Sequence, residues 1–249
     1  MNKIFFCKIR KSILYKKPSI NSERLKEMIF GETFIKLKEH DNFYYGFTQY
    51  DKYFGYIKKA SLKTNQKKNN FLINSGKAYL YKDNNLGSKT KKFLYFNSKV
   101  YISCIKKRLS QSNVGWIKNT DLKSLKNIKK KNIVENIKFF KKTKYLWGGN
   151  TNDGIDCSGL IQELMKNKLI KCPRDSNKQE NFFKKSVARK KIKKGDLLFW
   201  KGHVAIALNK SECVHAYGPL KKVVKTKINR LILKLANKSL ILSSIKRPL

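Results

Sequence analysis

Apolar positions along residues 1–62 come in short runs broken by turn residues. Ile13-Leu14-Tyr15 precedes a turn at Lys16-Lys17-Pro18-Ser19. Then come Glu27-Met28-Ile29-Phe30, Thr33-Phe34-Ile35-Lys36-Leu37, Tyr44-Tyr45-Gly46-Phe47-Thr48 and Tyr53-Phe54-Gly55-Tyr56-Ile57. Many short strands with turn signals between them predict a small barrel. Thr64 to Asn70 is polar and lysine-rich, as expected of a linker. A second strand series follows: Ala78-Tyr79-Leu80-Tyr81, Phe93-Leu94-Tyr95-Phe96, Val100-Tyr101-Ile102-Ser103-Cys104 and Gly115-Trp116-Ile117. From Ile128 the period changes. Ile133-Val134, Ile137 and Phe139-Phe140 predict a helix with lysines on its other face. Leu160-Ile161, Leu164-Met165 and Leu169-Ile170 predict a second helix, opening at Asp156-Cys157-Ser158-Gly159. Leu197–Trp200, His203–Leu208 and Cys213–Tyr217 read as strands, the last two as a hairpin around 209–212. Ile228 to Leu235 is a late amphipathic stretch. Helices first and antiparallel strands later make an α+β layout behind the two strand-rich segments.

The two strand series close alike. Gly55-Tyr56-Ile57…Leu62 and Gly115-Trp116-Ile117…Leu122 share one spacing, an internal repeat. With Gly31-Glu32 ahead of a strand, the first series resembles a bacterial SH3-like domain. The expected division is 1–64 and 70–126 for two SH3-like barrels in tandem and 127–249 for the α+β domain. One irregular β domain is the competing reading of the first half.

Charge changes the picture less than its size suggests. The formal net charge is +42. A phosphate polymer could release counterions on such a surface. The cations, however, are 51 lysines and only 7 arginines, spread along the whole chain. Bidentate phosphate and base contacts favour arginine. The lysines come with abundant Asn, Ile and Phe, the set an AT-rich coding sequence yields. Nucleic acid is therefore disfavoured as a partner, while a small acidic ligand suits the field. No apolar run approaches the roughly 20 residues of a membrane span. Ile4-Phe5-Phe6 is too short for the ~7–15-residue core of a signal peptide. A cytoplasmic, membrane-free protein is expected. Five cysteines form no C-x-x-C pair and no zinc spacing, so neither a disulfide framework nor a metal is implied. Cys7, Cys104 and Cys213 read as buried free thiols.

Cys157 differs from these. At a helix N-terminus, free N–H groups and the dipole favour the thiolate, so its thiol is expected to ionise easily. A thiolate nucleophile needs a base, and His203 and His215 lie in strand-like runs. They are twelve residues apart. A three-residue loop at 208–210 sets them opposite each other; a four-residue loop puts them on opposite faces. If they share a face, His203 can take the thiol proton and His215 can orient His203. Small Ala205 and Ala207 would leave room there for the cysteine helix. His40, in Glu39-His40-Asp41-Asn42, reads as surface.

Six blocks between residues 145 and 217 resemble the NlpC/P60 family of papain-like cysteine peptidases. They are Tyr145-Leu146-Trp147-Gly148-Gly149, Asp156-Cys157-Ser158-Gly159-Leu160, Pro173-Arg174-Asp175-Ser176 with Gln179, Gly195-Asp196-Leu197-Leu198-Phe199, His203-Val204-Ala205-Ile206 and Val214-His215-Ala216. With tandem SH3-like domains in front, the chain resembles γ-D-glutamyl-L-diamino acid endopeptidases that recycle cell-wall peptides. The resemblance implies Cys157 as nucleophile, His203 as base, His215 as its orienting partner and Tyr145 as an oxyanion donor. It places Asp156, Ser158, Arg174 and Ser176 at positions that bind D-glutamate and the N-terminal end of the peptide. Glu32 and Tyr53, from the first SH3-like domain, fall where a free L-alanine amine would be held. Trp147, Gly148 and Gly149 are expected to fix the loop before the nucleophile, and no cofactor is implied. Against the ligand role, Arg174 and Asp175 could be a local surface pair. Against the enzyme stands a binding protein for wall peptide or an acidic polymer, its peptidase-like part silent.

Overall fold

The computed structural model describes residues 3–248; Met1, Asn2 and Leu249 lie outside the described residues. The chain divides into two compact units, one up to residue 128 and one from residue 129.

In the first unit, seven strands form one antiparallel sheet. Its order across the sheet is Arg24–Ile29, Lys11–Tyr15, Tyr53–Lys58, Phe43–Thr48, Thr33–His40, Lys3–Cys7 and Leu62–Lys63. Alternate side chains turn inward, as the period of a strand requires. Phe5, Cys7, Leu14, Met28, Phe34, Ile57 and Leu62 make the core. A second set follows. Five strands run in the order Lys89–Tyr95, Lys77–Tyr81, Gly115–Lys118, Leu109–Ser112, Ile102–Ile105. Lys99–Val100, Phe71–Ile73 and Leu122–Ser124 make a further three-stranded sheet. The repeat read in the sequence has a structural counterpart. After Ile57 and after Ile117, both fully buried, the chain makes a 3-10 turn, Lys59–Ser61 or Asn119–Asp121. A backbone N–H then closes each turn, Leu62 to Lys59 O and Leu122 to Asn119 O.

The two strand sets share an interior. Phe30, which follows the Arg24–Ile29 strand, is 3% exposed and packs with Ile73, Ala78, Leu80, Leu94, Val100, Ile102 and Ile117 of the second. The Lys99 N–H donates to Phe30 O at 3.0 Å. Gly31 turns there at φ +80°, and a Cβ would sit 2.1 Å from Lys99 O, so only glycine fits.

The second unit is built on a five-stranded antiparallel sheet, ordered Lys222–Lys227, Glu212–Tyr217, His203–Ala207, Leu197–Trp200, Leu242–Lys246. Three helices accompany it: α1 (Cys157–Lys166), α2 (Ser176–Phe182) and α3 (Ile228–Ala236). All ten residues of α1 are buried, and it lies against the His203–Ala207 and Glu212–Tyr217 strands. Ile228, Leu231 and Leu235 of α3 pack with Leu198, Trp200, Ala205, Ala207, Cys213 and Tyr217. The room that Ala205 and Ala207 leave is therefore filled by α3, not by the cysteine helix.

Two further expectations change. The helix expected over 133–140 is a 3-10 helix, Glu135–Phe140. Ile137 and Phe140, three residues apart and both buried, lie on one side of it as its period requires, and Asn132 and Lys142 at positive φ flank it. Cys104 is half-buried, not a core thiol. Removing the shared ring tests the common interior. Phe30→Ala should destabilise the first unit by about 3–5 kcal/mol, measured as a lower urea midpoint by the fluorescence of Trp116, the one tryptophan of that unit.

Candidate active site

Two short strands, Asn150–Thr151 and Gly154–Ile155, form a tight hairpin ahead of α1. It delivers Asp156 to the N-cap in extended backbone. There the Asp156 carboxylate is saturated. Oδ1 accepts from the Gly159 N–H at 2.7 Å, from Ser158 Oγ at 3.2 Å and from Arg174 Nη1 at 2.8 Å. Oδ2 accepts from the Gly148 N–H at 2.8 Å and from Arg174 Nη2 at 2.6 Å. Arg174 and Asp156 are 2% and 4% exposed. The surface pair considered for Arg174 is thus not formed; Asp175 bonds Lys178 instead. The guanidinium also donates Nε–H to Asn150 Oδ1 at 3.1 Å, Nη1–H to Ser158 Oγ at 2.9 Å and Nη2–H to Gly149 O at 3.2 Å. Only glycine fits at 159, since a Cβ there would lie 2.5 Å from Gly149 O. Gln179 donates Nε2–H to both Ser158 O and Pro173 O at 2.9 Å, tying α2 to the start of α1.

These bonds fix Cys157 at the first position of α1. Its thiol is 6% exposed and lies 4.0 Å from Gly202 O. It also meets the Val204 N–H. The sulfur therefore touches the chain on either side of His203. The hairpin register pairs Ile206 with Val214 and Ala207 with Cys213, closed by Asn209 Oδ1, which accepts the N–H groups of Ser211 and Glu212 at 2.8 Å. This is neither of the two loops weighed from the sequence. It sets both histidines on one face, displaced by two residues instead of opposite. His203 Nε2 and His215 Nδ1 are 2.8 Å apart. That bond leaves His203 Nδ1 for a proton from elsewhere, provided Nε2 carries the hydrogen and His215 accepts it at Nδ1.

The protonation states differ from expectation. Burial pushes the Cys157 thiol up to about 12, and the Asp156 carboxylate adds to this; the Val204 N–H, Arg174 and the Ser158 N–H only partly offset them. A helix N-terminus contributes ~0.3–2 kcal/mol, whereas full burial can move a pKa by about 3–5 units. The N-cap carboxylate already faces that end of α1, so burial prevails. Desolvation lowers His203 to about 4; it also lowers His215 to about 3, helped by His203 and by Lys234 of α3. At neutral pH the three groups are thiol and two neutral imidazoles.

Tyr145 is bridged to Ile155, and its N–H donates to Lys221 O at 2.9 Å. Burial raises its hydroxyl to about 12, with repulsion from Cys157 when that is ionised and from the Asp156 carboxylate adding to it, so it remains a donor. Ser176 is half-buried at the first turn of α2. Glu32 and Tyr53 belong to the first unit. Glu32 is buried and accepts the Ile29 N–H at 3.0 Å; Tyr53 packs on the barrel core, with Lys26 Nζ 5.8 Å from its ring centre. His40 is exposed beside Asp41. Trp147 does not pack into the loop: it is 62% exposed. The residue the sequence reading passed over is Asn150. Its amide bonds Glu163 and Gln162 of α1 as well as Arg174.

The second unit thus sets a buried cysteine, at a helix N-terminus, against an antiparallel sheet that carries a bonded histidine pair. Residues 142–236 match the model of the NlpC/P60 family, and residues 14–62 match that of the bacterial dipeptidyl-peptidase Sh3 domain. The chain thus carries an NlpC/P60 domain behind a bacterial SH3 domain. Among curated relatives, dipeptidyl-peptidase 6 of Lysinibacillus sphaericus is 38% identical over 87 residues, covering 35% of this chain and 32% of the relative. Murein DD-endopeptidase MepS/murein LD-carboxypeptidase of Escherichia coli K12 is 31% identical, over 40% of this chain and 52% of its own. A γ-D-glutamyl-L-lysine dipeptidyl-peptidase of Bacillus cereus is 33% identical, over 32% and 26%. The matches thus span about half or less of each of these relatives. A solved NlpC/P60 family protein from Bacillus cereus shares the fold over 99% of this chain and all of its own, with a TM-score of 0.83 at 17% identity. Among the described residues no helix is long and apolar enough to cross a membrane.

Two outcomes follow from this geometry. Arg174→Ala leaves a buried carboxylate uncompensated and should cost about 3–5 kcal/mol; Arg174→Lys, which cannot reproduce the bidentate fork, should recover little of it in thermal melts. A thiol raised to about 12 gains thiolate as pH rises. Iodoacetamide labelling of Cys157 should therefore accelerate about tenfold per pH unit between pH 7 and 9, read by peptide mass spectrometry. A resting thiolate–imidazolium pair would instead give a plateau there.

Proposed function

We propose that the chain is a cysteine peptidase that hydrolyses the amide between γ-D-glutamate and the diamino acid of muropeptides with a free N-terminal L-alanine. One observation carries the reading: the hydrogen-bonded His203–His215 pair at 2.8 Å, with the Cys157 sulfur against the residues on both sides of His203. Relatives named as dipeptidyl-peptidases, one of them γ-D-glutamyl-L-lysine dipeptidyl-peptidase, support the substrate class.

In this reading the resting groups are neutral and charge develops only during attack. As Cys157 Sγ bonds the amide carbon, its proton passes to His203 Nδ1. His215, accepting from His203 Nε2–H, holds the imidazole in the tautomer that leaves Nδ1 open and steadies the imidazolium. The tetrahedral oxyanion takes hydrogen bonds from the Cys157 N–H and the Tyr145 hydroxyl. The C–N bond then breaks, and the His203 proton goes to the leaving amine. Water, deprotonated by His203, cleaves the thioester and restores the thiol. Ser158, Ser176 and the Asp156–Arg174 pair bind the γ-D-glutamyl end of the peptide. Because Asp156 and Arg174 each hold the other's charge, they offer a substrate a fixed polar wall. The work is the turnover of cell-wall peptides inside the cell.

The test is L-alanyl-γ-D-glutamyl-diaminopimelate, with its lysine counterpart, followed by mass spectrometry. The protein should release the L-alanyl-γ-D-glutamate dipeptide. Cys157→Ala should lose at least about 10⁴-fold in rate, and His215→Ala about 10²–10⁴-fold in kcat. N-acetylation of the alanine should stop cleavage. No dipeptide from either tripeptide would reject the proposal.

A further inference from the structure

The first unit has a groove of about 480 Å³ where its two strand sets meet. The floor is apolar: Phe30, Leu80, Leu94 and Val114. Around it stand Lys8, Arg10 and Lys92, with the ring of Phe93, and no acidic residue lines it. The lysine excess of the whole chain accounts for two of these cations but not for Arg10, one of seven arginines. Arg24, Arg174 and Arg247 each hold a carboxylate. Arg10 makes no ion pair among the described residues. Its guanidinium carbon lies 4.3 Å from the ring centre of Phe93 and 5.7 Å from that of Tyr95. The Phe30 N–H bonds Arg10 O at 3.3 Å, so the backbone beneath it is tied to the groove floor. Of the acids near this stretch, Glu27 is bonded to Lys11 and Arg24, and Glu32 accepts the Ile29 N–H. One wall, Lys89–Tyr95, is an outermost strand of its five-stranded sheet.

We propose that this groove binds an extended acidic peptide segment of a partner protein, in which Asp or Glu alternates with apolar residues. A strand-like ligand turns successive side chains to opposite sides. One set would sit over Val114 and the narrow exposed edges of Phe30, Leu80 and Leu94; the other would reach Lys8, Arg10 and Lys92. A guanidinium held over the Phe93 ring has less left to order when its fork meets a carboxylate. The outer strand offers backbone groups to such a segment, the mode of strand addition. Lysines along it repel a second copy of this cationic chain but not an acidic strand. Single-stranded nucleic acid fits less well. It needs open ring faces for its bases, whereas Lys77 also sits on Phe93 at 4.7 Å and Lys89 on Tyr79 at 3.9 Å.

Fluorescence anisotropy with the full chain tests this, using three labelled decamers: one alternating Glu with Leu and Phe, one of glutamate alone, and oligo-dT. The alternating peptide should bind saturably, at least about tenfold tighter than either control. Arg10→Glu with Lys92→Glu should weaken it by about tenfold or more, and Arg10→Lys by several-fold, while Lys106→Glu with Lys107→Glu, the same charge change elsewhere, should not. Melting curves verify folding; if the double variant is unfolded, Arg10→Lys and Lys92→Gln carry the comparison. Equal binding of polyglutamate, tighter binding of oligo-dT, no binding of the alternating peptide, or indifference to the groove variants would each overturn the proposal.

Discussion

The Asp156 carboxylate organises the second unit. It accepts five hydrogen bonds from four residues: two backbone N–H groups, a serine hydroxyl and both ends of one guanidinium. Each donor belongs to a piece that has to be somewhere definite. Gly148 fixes the loop before the nucleophile, Gly159 lies in the first turn of α1, and Arg174 brings in the irregular segment ahead of α2. Through Arg174 the network continues to Asn150 and thence to Gln162 and Glu163, one turn further along α1. A buried ion pair of this kind repays its desolvation only when its hydrogen bonds are satisfied, and here they are. The position of the proposed nucleophile is thus set by a polar core, with the apolar packing of Leu160, Ile161 and Leu164 behind it.

That network also governs charge. A carboxylate at the N-cap and a buried sulfur both oppose a resting thiolate, and buried imidazoles oppose a resting imidazolium. Moving one proton between them leaves the net charge of the pair unchanged, so it costs far less than charging either group alone. A cleft arranged in this way holds its charge separation in reserve for an occupied site.

Much of this was legible in the residues. The strand series, the repeat closing on Ile57 and Ile117, α1, and the Cys157–His203–His215 set all stand in the chain as pattern or motif. What was not legible depended on depth or register. The helix dipole at Cys157 is a local property and points to easy ionisation; burial, which overrides it, is set by strands 45 and more residues away. The histidines' spacing allowed two registers, and the turn chemistry of Asn209 chose a third. Ile133-Val134, Ile137 and Phe139-Phe140 resembled a helix face, but the segment that forms is a 3-10 helix flanked by Asn132 and Lys142 at positive φ. Arg174 and Asp175 are neighbours in sequence, yet the partner of Arg174 lies eighteen residues back.

Phe30 has a consequence of another kind. Its ring belongs by sequence to the first strand set and by packing to the interior of the second, and the backbone at Lys99 closes over the turn that follows it. A cut within residues 64–70 would therefore strand the Phe30 ring in water on one fragment and open a hole of its size in the other.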